Sequence, residues 1–316
     1  EISACLVGSE MCIRDRDKRI ACIVVTYNRK ELLFNCIQHI CNQSYRPETI
    51  YVIDNASTDG TLEMADKMKK IAQGLNFKYV RLEKNLGGAG GFYTGLKMAH
   101  ESGKFDAYWV MDDDGIPEKN CLKQLLQYYP QYDFLSPMVL SVDDHSKLAF
   151  NYHGRFESDE LIATFGNVVP EYSCPFNGIL LSRKLVDKIG YPIPQLFIWG
   201  DERNYTLRAK DSGAVIVTIT SAIHYHPSDK MTFSRTLFNK SIVTVPNKWK
   251  GYCYWRNTVF NGKGRMSLKN YFSFYVYNAY YYLFIAKDWG WFRCFNEAFF
   301  SGFKKCPDEG FRKYMP

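Results

Sequence analysis

Residues 107–115 read AYWVMDDDG. The run Ala107–Met111 has the length and apolar character of a buried strand, and it passes without a break into Asp112, Asp113 and Asp114. Three adjacent carboxylates repel one another unless something neutralises them. A divalent cation with oxygen ligands does so, and Mg2+ or Mn2+, completed by substrate phosphates, suits such a set. A polar turn capping a helix is the plainer alternative. The position at the strand end, and the single residue between Asp112 and Asp114, favour the metal. Pro117 stands where the next helix would open, in the first-turn position that proline favours.

Towards the N-terminus strands and helices alternate. IACIVVT at Ile20–Thr26 is a continuous apolar, β-branched strand. Asn28 reads as the cap of the following helix, with Glu31 as the other half of a capping box. Leu33, Ile37, Ile40 and Cys41 then recur at helical spacing. Thr49–Ile53 is a second strand, ended by Asp54 and the turn NASTDG. Phe77–Leu82 is a third, and Gly87–Gly91 open a helix carrying Leu96, Met98 and Ala99. Such alternation means a doubly wound α/β sheet, mostly parallel, with helices on both faces. Ligands of these sheets bind at the carboxyl ends of the strands, where Thr26, Asp54, Asn85 and Asp112 all fall.

Towards the C-terminus the alternation weakens. Residues 142–169 read as loops and short strands, and Phe176–Ile189 as a strand and a helix closed by Gly190. Gln195–Lys210 holds an acidic pair followed by a helix, and Ala214–His226 is a strand. The remainder is rich in tyrosine and phenylalanine, with one helix expected from Lys269 to about Asp288. No internal repeat or low-complexity linker is present.

Four further clusters carry chemistry. Thr26-Tyr27-Asn28-Arg29 with Asp54-Asn55 could read a nucleobase edge, since a carboxylate accepts from an imide N–H; the same residues also make ordinary turns and caps. NLGGAGG at 85–91 lets the backbone approach a ligand at a helix start, where N–H groups favour anions. It follows the third strand and lacks a Gly-Lys-Ser/Thr ending, so it is a poor dinucleotide or P-loop signature, and close packing of helix on sheet would also explain it. Asp201 and Glu202, beside Trp199 and Gly200, could take the proton of an attacking sugar hydroxyl; an acidic turn favoured by the helix dipole is the rival reading. His224 and His226 alternate along one strand, so both can face one side and complete the coordination of the metal. Two histidines alone do not define zinc.

In this order VVTYNR, VIDNASTDGT, NLGGAGG, WVMDDDG, IWGDERNYTLRA and AIHYHP resemble glycosyltransferase family 2, the inverting enzymes with the GT-A fold. The resemblance runs from about Arg19 to His226, and weakly to YWRN at Tyr254–Asn257. It is strongest to the galactofuranosyl- and rhamnosyltransferase branches, where WVMDDDG and an acidic pair before a Tyr-x-Leu-Arg helix occur together. It implies a nucleotide-diphospho-sugar donor whose uracil or thymine is held by Thr26, Arg29 and Asp54. Tyr27, Asn28, Asn85, Gly88, Asp112 and Asp113 would complete the donor site. Asp112 and Asp114 would bind Mn2+ or Mg2+ with the diphosphate, and His226 would be the third protein ligand, with His224 second in order. Trp199 and His224 would face the acceptor. The family base is usually the second acid of a Glu-Asp or Asp-Asp pair. That position is Glu202 here, a longer side chain, which leaves Asp201 open for the role. The resemblance further implies transfer of galactofuranose or rhamnose from a UDP- or dTDP-sugar to a glycan or lipid-linked hydroxyl. Such transfer serves cell-surface polysaccharide synthesis, in the cytoplasm or at the inner face of its membrane. Residues 17–235 would form the catalytic domain and 236–316 a basic, aromatic helical extension.

Composition sets bounds on these readings. A chain of 316 residues, 46% hydrophobic, suffices for one large α/β domain or a domain with an appendage. No run reaches about 18 uninterrupted apolar residues, so no clean membrane span is expected. The ten cysteines show no C-x-x-C pair or zinc spacing and read as reduced, buried thiols of a cytosolic protein. Residues 1–16, EISACLVGSEMCIRDR, have no structural period and are expected to be a leader foreign to the fold. A signal peptide fits them less well, because Glu1, Glu10 and Asp15 interrupt any apolar core.

Net charge is +7, unevenly spread: residues 227–316 hold 15 basic and 5 acidic side chains (+10), the rest 25 and 28 (−3). That asymmetry suggests an anionic partner, a membrane surface among them. Tyr271–Ala286 is either a helix packed on the catalytic domain or one lying in a membrane interface. Two rival functions remain. A sugar nucleotidyltransferase would carry a glycine-rich, basic signature after the first strand, where TYNRKEL stands instead. A nucleic-acid-binding protein could stack bases on the tail aromatics, but their spacing is that of a buried helical face, so nucleic acid is not an expected partner.

Overall fold

The computed structural model describes residues 18–152, 155–174, 176–228 and 232–316; the expected foreign leader, residues 1–16, lies outside them. Among the described residues thirteen strands follow in chain order: β1 Ile20–Thr26, β2 Thr49–Asp54, β3 Asn76–Arg81, β4 Ala107–Asp112, β5 Ile116–Pro117, β6 Phe134–Ser141, β7 Lys147–Tyr152, β8 Arg155–Glu157, β9 Val168–Pro170, β10 Asn177–Ser182, β11 Ile216–His226, β12 Thr232–Arg235 and β13 Ser241–Thr244. The central sheet has the order β3-β2-β1-β4-β10-β6-β11-β5. β3, β2, β1 and β4 are parallel, β11 is parallel to β6, and β10 and β5 run against their neighbours. The register pairs Thr26 with Asp54 and Val25 with Asp112, so the first, second and fourth strands end at one edge.

β1, β2 and β4 are buried on both faces, which is why they are apolar along almost their whole length, whereas β3 at the sheet edge alternates exposed and half-buried residues. Ile20, Cys22 and Val24 pack with Leu33, Ile37 and Ile40 of the helix Lys30–Cys41. Ala21, Ile23 and Val25 alternate to the other face, against Phe92, Leu96 and Ala99 of the helix Gly87–Glu101. A Cβ on Gly91 would stand 2.4 Å from Val25 Cγ1, and one on Gly95 would stand 2.5 Å from Ile23 Cγ2. These two glycines therefore let the helix lie directly on β1.

Four local expectations change. Ile116 and Pro117 form an edge strand on Tyr225 and His224 instead of opening a helix, and Glu118 N donates to Ile223 O at 3.0 Å. A proline fits there because an edge position needs no N–H from it; the helix begins only at Cys121. Asn28 does not cap the helix after it. Its Oδ1 accepts from Thr58 N at 2.7 Å, and Asp59 Oδ2 receives Lys30 N at 3.0 Å, so the helix start is satisfied from the NASTDG turn. Within residues 142–169 a helix forms at Ser158–Phe165. The C-terminal region holds three helices, Lys248–Gly262, Leu268–Tyr280 and Trp289–Ser301, where one was expected; the second ends in a π-turn over Tyr281–Ile285.

Those helices pack around Tyr252, Trp255, Val259, Phe295 and Phe299, which recur at helical spacing, with Tyr282 and Phe311. Asn247, Ser267 and Asp288 each cap a start through a side-chain oxygen. Phe197, from the loop before the acidic pair, is buried in the same cluster, its ring 4.4 Å from that of Phe311. The described cysteines are free thiols, six of them buried, Cys41 partly buried and Cys306 exposed. No helix among the described residues is long and apolar enough to cross a membrane.

Candidate active site

A cleft of about 860 Å³ opens at the carboxyl ends of β1 and β4. Its floor is the acidic turn after β4. Asp113 is 2% exposed; its Oδ2 accepts from Thr26 Oγ1 at 2.7 Å and its Oδ1 from Arg29 Nη1 at 3.2 Å. Arg29 Nη1 also donates to Asp114 Oδ2 at 2.8 Å. His226 Nε2 stands 3.2 Å from Asp114 Oδ1, while its Nδ1 donates to Pro227 O at 2.6 Å. Asp112 and Asp114 line the cleft with Thr26, Tyr27, Arg29 and His226. Among the described residues, no three His, Cys, Asp or Glu side chains form a metal-ligand group by themselves.

The charges respond to crowding. Burial, then the neighbouring Asp114 and Asp113 carboxylates, raise the Asp112 carboxyl well above the usual range. Burial pushes Asp113 up to about 6 against the opposing pull of Arg29 and Thr26. Burial would raise Asp114 as well, but His226 and Arg29 hold it below its ordinary value.

The cleft's next wall is the start of the helix Gly87–Glu101, where Asn85 and Gly88 line it. Asn85 Oδ1 accepts from Gly87 N at 2.7 Å. Asn55, grouped with Asp54 in the sequence as a candidate for reading a nucleobase edge, staples this turn: its Oδ1 accepts from Leu86 N at 3.1 Å and its Nδ2 donates to Gly87 O at 3.2 Å. Gly87 has φ +71°, and a Cβ there would stand 2.3 Å from Phe197 O. Ala89 N donates to that same carbonyl at 3.0 Å.

Phe197 belongs to the loop that carries the acidic pair. Phe197 (φ 67°), Trp199 (φ 60°) and Gly200 (φ 110°) are left-handed, a conformation costing bulky residues on the order of 1–3 kcal/mol each. The helix Asp201–Asp211 starts immediately after. Asp201 is 4% exposed, and a Cβ on Gly88 would stand 3.7 Å from its Oδ2. Burial, followed by the charge and hydrogen bond of Glu202, raises the Asp201 carboxyl well above the usual range. Glu202 is more open, receives Gly200 N at 3.3 Å, and lies close enough to Asp112 to raise it. Trp199, Asp201 and Glu202 all line the cleft, together with Trp249 and Lys250 from the C-terminal helix.

Three candidate residues stand outside that lining. Asp54 is fully buried; its Oδ1 accepts from Ser57 N at 2.9 Å and its Oδ2 from Tyr79 OH at 2.7 Å. Asn28 is engaged with Thr58. His224 is wedged beneath the acidic turn, where Cβ atoms on Gly115 and Gly178 would stand 2.6 Å from Nε2 and 2.8 Å from Nδ1. Burial pushes its imidazole down to about 3, so the ring is neutral. Trp249 and Lys250 escaped the sequence reading because nothing local marks a distant helix as part of the cleft.

The parallel half-sheet, with an acidic turn at its carboxyl edge facing a second acidic pair across the cleft, defines a glycosyltransferase with the GT-A fold. The chain belongs to glycosyl transferase family 2, whose family model matches residues 21–190. It is 30% identical over 250 residues to galactofuranosyltransferase GlfT1 of Mycolicibacterium smegmatis, covering 75% of this chain and 81% of that one. To galactofuranosyltransferase GlfT1 of Mycobacterium tuberculosis it is 31% identical over 233 residues, 71% of this chain and 75% of the other. Among solved structures, mannosyltransferase PcManGT from Pyrobaculum calidifontis, in complex with GDP-Man and Mn2+, matches with a TM-score of 0.56 at 17% identity, over 90% of this chain and 75% of that one. S. aureus TarS 1-349 matches with a TM-score of 0.52 at 18% identity, over 85% and 73%.

Proposed function

We propose that this glycosyltransferase is inverting and metal-dependent, moving galactofuranose from a UDP-sugar to a glycan or lipid-linked hydroxyl in cell-surface polysaccharide synthesis. The observation that carries this reading is the meeting of Asp112, Asp114, His226 and Glu202 around one cleft. The galactofuranosyltransferase relatives, alike over most of their length, support that sugar over rhamnose.

The donor set fits a divalent cation. Pro227 O can only accept, so His226 Nδ1 carries a proton and the ring is held with Nε2 towards Asp114 Oδ1, 3.2 Å away. An imidazole nitrogen and a carboxylate oxygen at that spacing, with the Asp112 carboxylate in the same cleft, are the N and O donors a divalent cation would take. The diphosphate would complete the shell of Mn2+ or Mg2+. When bound, the metal supplies Lewis-acid stabilisation of the leaving diphosphate. Arg29 and Thr26 fix the acidic turn, and the Asn85–Gly88 turn presents backbone to the donor. Glu202, the more open acid, accepts the acceptor hydroxyl proton as that oxygen attacks the anomeric carbon from the face opposite the leaving group. Asp201, kept protonated, donates a hydrogen bond to Glu202. Trp199, which lines the cleft beside the acidic pair, would pack on the acceptor.

Leu268, Phe272 and Trp289 are 87%, 70% and 74% exposed in the basic C-terminal segment. They support peripheral contact with the inner face of the cytoplasmic membrane, where a lipid-linked acceptor would lie. The decisive assay follows transfer from UDP-galactofuranose and dTDP-rhamnose in Mn2+, Mg2+ or EDTA, with product configuration read by NMR. Transfer should require metal and invert the anomeric centre. Full activity in EDTA removes the metal, and a retained configuration removes the mechanism.

A further inference from the structure

The helix Lys248–Gly262 buries polar side chains against the loop that precedes the acidic pair. Asn257 and Arg256 are each 0% exposed. Asn257 Nδ2 faces three carbonyls as donor: Leu196 O at 3.0 Å, Ile198 O at 2.9 Å and Trp199 O at 3.0 Å. Its Oδ1 accepts from Arg256 Nε at 3.0 Å, and Arg256 Nη2 donates to Leu196 O at 2.8 Å. One turn further, Asn261 Nδ2 donates to Gly200 O at 2.8 Å, and its Oδ1 accepts from Asn204 Nδ2 at 2.9 Å. None of the three lines the cleft. Apart from Asp308 O, which receives Arg256 Nη1, the carbonyls they hold belong to the segment whose left-handed residues turn successive carbonyls to one side. On the other side that segment rests on the glycine turn through Phe197 O and Ala89 N.

We propose that Asn257, assisted by Arg256 and Asn261, is a positioning residue for transfer. It holds the strained Leu196–Gly200 backbone so that Asp201 and Glu202 face the acidic turn. The inference rests on reading that pair as the base. Packing alone would be served by an aliphatic side chain. A carboxamide shared among three carbonyls instead fixes the direction in which the next residues leave the loop, and a displacement of about 1 Å at a reacting group costs about 10²-fold in rate.

The experiment compares the full-length protein with Asn257→Ala, Asn257→Ser, Asn261→Ala, Asp201→Asn and Glu202→Gln. It reads kcat at saturating donor, UDP affinity by calorimetry in Mn2+, and melting temperature. Asn257→Ala should lose about 10²-fold in kcat with UDP affinity unchanged, and Asn257→Ser, which keeps a donor, should recover part of the loss. A folded Asn257→Ala protein with wild-type kcat overturns the proposal. If that variant melts below the assay temperature, Asn261→Ala decides: reduced kcat with intact UDP affinity supports the proposal, and unchanged kcat overturns it. Should Asp201→Asn and Glu202→Gln both keep turnover, the base assignment falls and this inference with it. Should they lose turnover while both asparagine variants keep it, the inference falls alone.

Discussion

Asp201 and Glu202 are neighbours with different surroundings. Asp201 is packed against Gly88 at 4% exposure, whereas Glu202 reaches the open cleft and Gly200 N. Glu202→Gln should therefore lower kcat by about 10²–10⁴-fold, and Asp201→Asn by less, with UDP binding retained in both. The raised Asp201 carboxyl also affects stability, and the sign follows from linkage. An acid held protonated in the folded state but ionised in the unfolded chain stabilises below its unfolded pKa, about 3.9. That contribution fades as pH rises towards the folded value. Asn cannot ionise, so Asp201→Asn should melt close to wild type at pH 4 and higher at pH 8. A gain on the order of 2–4 °C per kcal/mol is expected in thermal scans across pH. No gain at pH 8 would show that the buried carboxyl is satisfied by its neighbours. The choice between the two acids could not be made from sequence, because register favours one and burial is visible only once the loop is folded.

At the scale of elements, the glycines of the helix Gly87–Glu101 divide their work. Gly91 and Gly95 pack on β1, as a close helix–sheet contact demands, whereas Gly87 makes room for the carbonyl of Phe197. Gly95→Ala should cost about 1–3 kcal/mol of stability by overpacking against Ile23, with kcat largely kept at permissive temperature. Gly87→Ala should lower kcat as well as melting temperature, since a side chain at φ +71° would displace the loop of the acidic pair. Equal kcat in the two variants would separate the glycine turn from the chemistry.

β1, β2 and β4 were legible because each is a nearly continuous apolar run, and Ile20–Thr26 appears with the bounds expected of it. Pro117 and Asn28 misled because a local rule was overridden by a distant partner, β11 in one case and the NASTDG turn in the other. The acidic turn, the glycine turn and the acidic pair could be read as motifs. The hold of Asn55 on the glycine turn, the place of Lys250 in the cleft and the part proposed for Asn257 could not, because their meaning is tertiary.

For the molecule as a whole, the C-terminal helices share a core with Phe197 and also present Leu268, Phe272 and Trp289 outward. Leu268→Glu with Phe272→Glu should reduce sedimentation with anionic liposomes while leaving transfer to a soluble acceptor intact. Unchanged sedimentation would remove the membrane contact. The carbonyl of Gly200 is held by a side chain 61 positions later. During synthesis the strands that floor the cleft therefore leave the ribosome before the partner of Gly200 O does. On the proposed reading of Asn257 and Asn261, the acidic pair gains its final direction only late in translation, once Asn261 has emerged.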